Sequence, residues 1–220
     1  MLLLIPLCLA LAWLFLRQER REKYVPAVLL KGLASCCFVL LGLLASPGTP
    51  LARLVVLGLV LGCAADVLLN LRWVFEKKGK LIFLVGILVF LGGHILYLAA
   101  VLPLCGNRLA IFLAGAALTA LLMGRIFKRI TAEKAFKIFG VVYIGAIVLL
   151  NCAAVANLLA APSSFTGLFA AGAVFFLASV VLILNTFGSE TKQSLRVTNV
   201  MLYYVGQLLI ALSLLFAGGL

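Results

Sequence analysis

The sequence predicts an all-α fold, a polytopic transmembrane helix bundle of about eight helices, built as one domain over residues 1–220 with both termini on the non-cytoplasmic side. Three observations predict it. The 220-residue chain is 66% hydrophobic and only 11% charged, whereas a soluble domain is about 45–50% apolar and ~25% charged. Its apolar residues fall into runs close to the ~20 residues a helix needs to cross a bilayer. Its basic residues gather on alternate connections between those runs.

Taken in order, the runs are roughly 2–16, 25–45, 51–72, 81–102, 109–127, 137–160, 165–187 and 197–217. The first is short and ends at "RQERREK"; if it lies in the interface, the count of spans falls to seven. Positive charge follows this run instead of preceding it, the reverse of a secretory signal peptide. "ASPGTP" (45–50) and "APSSF" (161–165) read as short outer turns, where Pro, Gly and Ser break helices within reach of water. No connection is long enough to hold a soluble domain.

Charge placement tests this order. The connections after the first, third, fifth and seventh helices hold Arg17, Arg20, Arg21, Lys23 and Lys31, then Arg72, Lys77, Lys78 and Lys80. They also hold Arg125, Lys128, Arg129, Lys134 and Lys137, and finally Lys192 and Arg196. Only Arg53 and Arg108, of 18 basic residues, fall on the other side. Cytoplasmic loops collect Lys and Arg, so these connections are expected to be cytoplasmic. Glu19, Glu22, Glu76, Glu133 and Glu190 lie in or beside the same connections.

The net charge of +12 is accounted for by orientation and by contact with anionic headgroups; no second feature points to nucleic acid. The expected partners are membrane lipids. For a bacterial chain the expected location is the cell (inner) membrane. The six cysteines, at positions 8, 36, 37, 63, 105 and 152, show no metal-ligand spacing and no C-x-x-C. They read as small apolar packing residues.

Against this background the sixth acidic residue stands out. Asp66 lies in "CAADVLLN" (63–70), within an apolar run, and an intramembrane ionisable group is a functional candidate because leaving it in hydrocarbon costs several kcal/mol. It sits six residues before Arg72, roughly 9 Å inside that end of its helix. Asn70 lies one turn nearer the surface on the same face. Tyr143, Tyr203, Tyr204 and Ser179 fall at similar depth on three other helices, with Val180 beside Ser179. His94 and Tyr97 share a face deeper in, about 20 and 24 Å from the start of theirs, and Gln207 is intermediate. Together they predict a cleft entered from the cytoplasmic half. Asn151 and Asn157 read as glue between helices, and "GAVFF" (172–176) and "FLGGH" (90–94) as sites of close helix approach.

The order of "LGLVLGCAADVLL" (57–69), "FLVGILVFLGGHILYLAAV" (83–101), "GAVFFLAS" (172–179) and "YYVGQLLIALS" (203–213) resembles the YhhN-like lysoplasmalogenase family of integral membrane proteins. The resemblance runs from about residue 25 to residue 213 and is carried by the Asp followed by two leucines, the H-x-x-Y and the Y-Y-x-x-Q. It implies hydrolysis of the vinyl-ether bond of a lysoplasmalogen to a fatty aldehyde and a glycerophospho-base, without metal or organic cofactor. Asp66 is then the candidate general acid. His94, Tyr97, Tyr143, Ser179, Tyr203, Tyr204 and Gln207 are candidate substrate-binding residues for a lysophospholipid or lysoplasmalogen. Two positions depart from the family pattern. Ala65 replaces a Gly, and Ser179-Val180 stands where the pattern reads "SD".

The second departure bears on chemistry. Vinyl-ether hydrolysis begins with protonation at carbon, and water captures the resulting oxocarbenium ion. One acid delivers the proton, and a second carboxylate would steady the cation and orient the water, as in paired-carboxylate glycosidases. Val180 does neither. Three readings therefore stay open: a hydrolase resting on Asp66, with tyrosines or His94 helping; a lysophospholipid-binding or transport protein that has lost catalysis; and a proton-coupled carrier with Asp66 as the protonated group.

Overall fold

The computed structural model describes residues 1–128, 134–185 and 192–219, with no side-chain detail for 134–137 and 185. Arg129, Glu133 and Glu190, and the side chains of Lys134 and Lys137, lie outside the described residues. The long helices are α1 (Leu4–Arg20), α2 (Tyr24–Ala45), α3 (Pro50–Leu71), α4 (Gly79–Val101), α5 (Arg108–Phe127), α6 (Lys134–Ala160), α7 (Ser164–Asn185) and α8 (Gln193–Ser213). Single 3-10 turns at Glu76–Lys78, Leu102–Leu104 and Leu214–Phe216 extend the ends of α4 and α8. No strand occurs among the described residues.

Seven of these helices, α2 to α8, are long and apolar enough to cross a membrane; α1, with 17 residues, is shorter. It begins inside the apolar run and continues four residues past its end, through Arg17 to Arg20. Lys and Arg suit a helix C-terminus, where the backbone carbonyls carry partial negative charge. Glu22, at φ 57°, then turns the chain into α2. α8 likewise starts four residues before its apolar run, at Gln193, because a helix does not stop where hydropathy does. Thr49 and Asn107 start α3 and α5, their side-chain oxygens accepting from the amides of Ala52 at 3.3 Å and Ala110 at 3.0 Å. Both serve as N-caps, and Pro50 adds a residue suited to the first helical turn.

Packing closes α2, α3, α4, α6, α7 and α8 into a ring, each against the next and α8 back against α2. α1 lies outside in the groove between α2 and α8, and α5 lies outside on α6. Two of the contacts are backbone against backbone. A Cβ built on Gly172 of α7 would sit 2.7 Å from the carbonyl of Gly206 on α8, and one built on Gly206 would sit 2.8 Å from that of Gly172. Gly93 of α4 and Gly58 of α3 approach in the same way, at 3.0 Å. These are the two small-residue stretches the sequence picked out, and they work by letting backbones meet. The outer wall is apolar: Leu29, Leu44, Leu109, Leu113 and Leu159 are all exposed.

Lys31 corrects the charge count. It lies not in a connection but seven residues inside α2, with its side chain only 12% exposed. Its charge is used inside the ring.

Candidate active site

Asp66 faces into the ring and is 2% exposed, so the carboxyl is sheltered from the lipid-facing wall. α2 supplies two of its partners from successive turns. Lys31 Nζ lies 3.1 Å from Asp66 Oδ1, an ion pair, and Ser35 Oγ donates to Oδ2 at 2.6 Å. α8 supplies the third, with Tyr203 donating its phenol to the same Oδ2 at 2.5 Å. A carboxylate offers about four lone pairs and no proton, so three donors converge on a group built to accept them. Tyr204 braces this arrangement from the other side. Its hydroxyl is 3.3 Å from Ser35 Oγ and donates to the Lys31 carbonyl at 3.2 Å. Asn70 bonds back to the Asp66 carbonyl at 3.0 Å, one turn away on the same helix.

A second cluster lies on the α4 and α6 side. His94 Nδ1 donates to the Phe90 carbonyl at 2.8 Å, a bond that puts the ring proton on Nδ1 and leaves the Nε2 lone pair. The imidazole packs among four rings: Phe176 at 4.4 Å between centroids, Phe90 at 5.4 Å, and Tyr97 and Tyr143 at 5.9 Å. Phe176 and Phe90 also touch Tyr203, at 5.7 and 5.9 Å. The imidazole is thus one aromatic layer away from the phenol that binds Asp66. Tyr97 donates to Gln207 Oε1 at 2.9 Å, tying α4 to α8.

Of the residues singled out in the sequence, Tyr203 meets Asp66 directly and Tyr204 meets it through Ser35. Tyr97 pairs with Gln207, and Tyr143 joins the His94 rings. Ser179 is turned to other work. Its hydroxyl donates to the Phe176 carbonyl at 2.7 Å, and its own carbonyl accepts from Asn199 at 2.6 Å. Val180 is buried and apolar. Asn157 does join helices, donating to the Val101 carbonyl at 2.8 Å. Asn151 instead bonds within its own helix, to the Ile147 carbonyl at 2.9 Å.

The two residues that sequence reading missed are Lys31 and Ser35. A signal was present: both interrupt the apolar run 25–45, and they stand one helical turn apart on one face. All six cysteines are free thiols.

Eight helices among the described residues, with an apolar exterior, a closed ring of six and a buried acid–base network inside, define a multi-pass integral membrane protein. The sequence model of the YhhN family matches residues 26–214, and the chain belongs to that family. The match takes in every helix of the ring and leaves α1 outside. No curated protein and no solved structure matches the chain.

Proposed function

We propose that the protein is a lysoplasmalogenase-like hydrolase that cleaves the vinyl-ether bond of a lysoplasmalogen, with the Lys31–Asp66 pair as its proton source. The observation that carries this reading is the convergence of Lys31, Ser35 and Tyr203 on Asp66 within 2.5–3.1 Å. The reaction needs one proton delivered to the alkenyl carbon remote from oxygen. That proton passes through the Asp66 carboxyl and is made good from Lys31. The pair starts neutral overall and is left with one net negative charge beside the oxocarbenium ion. At low local dielectric such a charge is a strong stabiliser. Water then adds to the cation and returns its proton to the pair. The resulting hemiacetal collapses to aldehyde and glycerophospho-base. A single carboxylate with an adjacent lysine thus covers both tasks that two carboxylates would divide, and Val180 is not called upon.

The basic end of the ring is proposed to face the cytoplasm, as the distribution of Lys and Arg requires. Purified protein in maltoside micelles is expected to release long-chain aldehyde from a 1-alkenyl-lysophosphoethanolamine and to leave the 1-alkyl analogue intact. No aldehyde above background from any alkenyl lysophospholipid would remove the hydrolase reading.

A second reading is favoured by one observation. Val180 occupies the position of the family's second acid, and Asp66 is already held by three donors, as it would be in a lysophospholipid-binding protein without chemistry. Lysolipid binding that survives Asp66→Asn, in a protein that cleaves nothing even after Val180→Asp, would establish that alternative.

A further inference from the structure

The end of the ring where α3 stops and α8 starts carries charges that the Asp66 network does not use. Arg196, in the first turn of α8, donates from Nε and Nη2 to the two carboxylate oxygens of Glu19 on α1, at 2.9 and 2.7 Å. Its Nη1 lies 3.4 Å from Asn199 Oδ1. Arg72 follows α3 directly, and its guanidinium lies against two rings, 4.7 Å from Trp73 and 4.6 Å from Phe83. The Arg72 Nε is buried and has no hydrogen-bond partner among the described residues. Burial, and after it the nearby Arg196, draw the Arg72 guanidinium below its ordinary range, while Glu19 pulls the other way. Arg196 pairs with Glu19 and Arg72 lies in the field of both, so the trio holds one positive charge in excess.

Its height above the acid is set twice over. Arg72 lies six residues beyond Asp66 on one helix, and Arg196 lies seven before Tyr203 on another. At about 1.5 Å per residue both give roughly 10 Å. In a 1-alkenyl lysophospholipid, eight bonds separate the carbon that takes the proton from a free phosphate oxygen. At bond lengths near 1.5 Å, each advancing roughly 1.25 Å along an extended chain, that is also ~10 Å. The phosphodiester carries the single negative charge that the trio lacks.

We propose that Arg72, with Arg196 beside it, is a phosphate subsite that holds the phosphodiester of a lysophospholipid while its alkenyl linkage reaches Asp66. The identity of the lipid rests on the hydrolase reading above; the phosphate chemistry does not. A guanidinium presents a planar fork of donors that matches two phosphate oxygens, and a guanidinium held between two rings has already given up most of its rotational freedom. A phosphate from a bilayer phospholipid offers the same chemistry, so the test separates the two sources.

Binding is measured in maltoside micelles, which contain no phosphate, using two uncleavable probes: 1-O-alkyl-glycero-3-phosphoethanolamine and phosphate-free 1-O-alkyl-glycerol. The unsubstituted protein is expected to prefer the phosphate probe. Arg72→Gln is expected to weaken that probe about tenfold, the loss of a charge-assisted hydrogen bond, without moving the alkylglycerol. Arg72→Lys, which keeps the charge but not the fork, is expected to fall between and serves alone if the glutamine variant does not fold. Equal affinity for the two probes, or a phosphate probe indifferent to both substitutions, overturns the subsite. Added phosphatidylglycerol is expected not to compete; competition at equal loading overturns the lysolipid assignment in favour of bilayer phosphate. Neither probe is cleaved, so a protein without hydrolase activity gives the same readout and the two readings fail separately.

Discussion

Around Asp66 the contacts are an ion pair and hydrogen bonds, whereas around His94 they are tilted and edge-on rings with one hydrogen bond to the backbone. The clusters are neighbours, joined through Phe90 and Phe176. The difference teaches what each tolerates. A charge network in a dry interior depends on every member, because removing one leaves another unpaired. A ring cluster depends on shape, and a substitution that keeps the shape costs little.

The sharpest way to break this contrast is Asp66→Asn. Loss of a positioned acid is worth ~10²–10⁴-fold in rate, so aldehyde release is expected to disappear into background. The same change strands Lys31, at a stability cost of about 3 kcal/mol, read by urea unfolding in detergent. Adding Lys31→Met is expected to restore most of the stability and none of the activity. Recovery of activity in that double variant would show that the pair is structural.

Next in size is a matched pair of tyrosine substitutions. Tyr203→Phe removes a donor to the carboxylate and is expected to cost ~1.5–3 kcal/mol, the range for a hydrogen bond to a charged group. Tyr143→Phe keeps the ring that packs on His94 and is expected to cost less than about 0.5 kcal/mol. Similar losses for both in the same unfolding measurement would erase the distinction.

His94→Phe is smaller again. It keeps a ring among Phe90, Tyr97, Tyr143 and Phe176 and loses one hydrogen bond, about 1 kcal/mol. A folded variant whose rate also falls by more than tenfold would assign the Nε2 lone pair a part in capturing water. Thr49→Ala lies outside both clusters and sets the scale for an ordinary helix cap, ~1 kcal/mol, with no change in activity.

The helices of the ring were legible because lipid enforces a single rule: about twenty apolar residues per crossing. Asp66 was legible for the same reason, as an exception to it. Lys31 was not. A lysine near the end of an apolar run reads as part of the flanking basic loop, and only its partner on the next helix shows otherwise. Ser35 is invisible to hydropathy, since a lone hydroxyl among leucines has little effect on a window average. Ser179 reads as an inward-facing polar group and Asn151 as glue between helices, yet each donates to a carbonyl of its own helix. Side chains that can bond back to a carbonyl one turn earlier give no sequence sign of doing so. Val180 stands where the resemblance implies a second acid, and the lysine that pairs with Asp66 comes instead from α2, the neighbour of α3 in the ring.

The pairing of Lys31 with Asp66 also bears on how the chain enters its membrane during synthesis. A lysine or an aspartate inserted alone near the middle of a helix opposes partitioning by roughly 2.5–3.5 kcal/mol. α2 and α3 carry one each and are joined by only four residues, 46–49. Entering together as a hairpin, they cancel each other's charge before either has to meet the acyl chains. α2 would have to wait at the insertion machinery until α3 emerged from the ribosome.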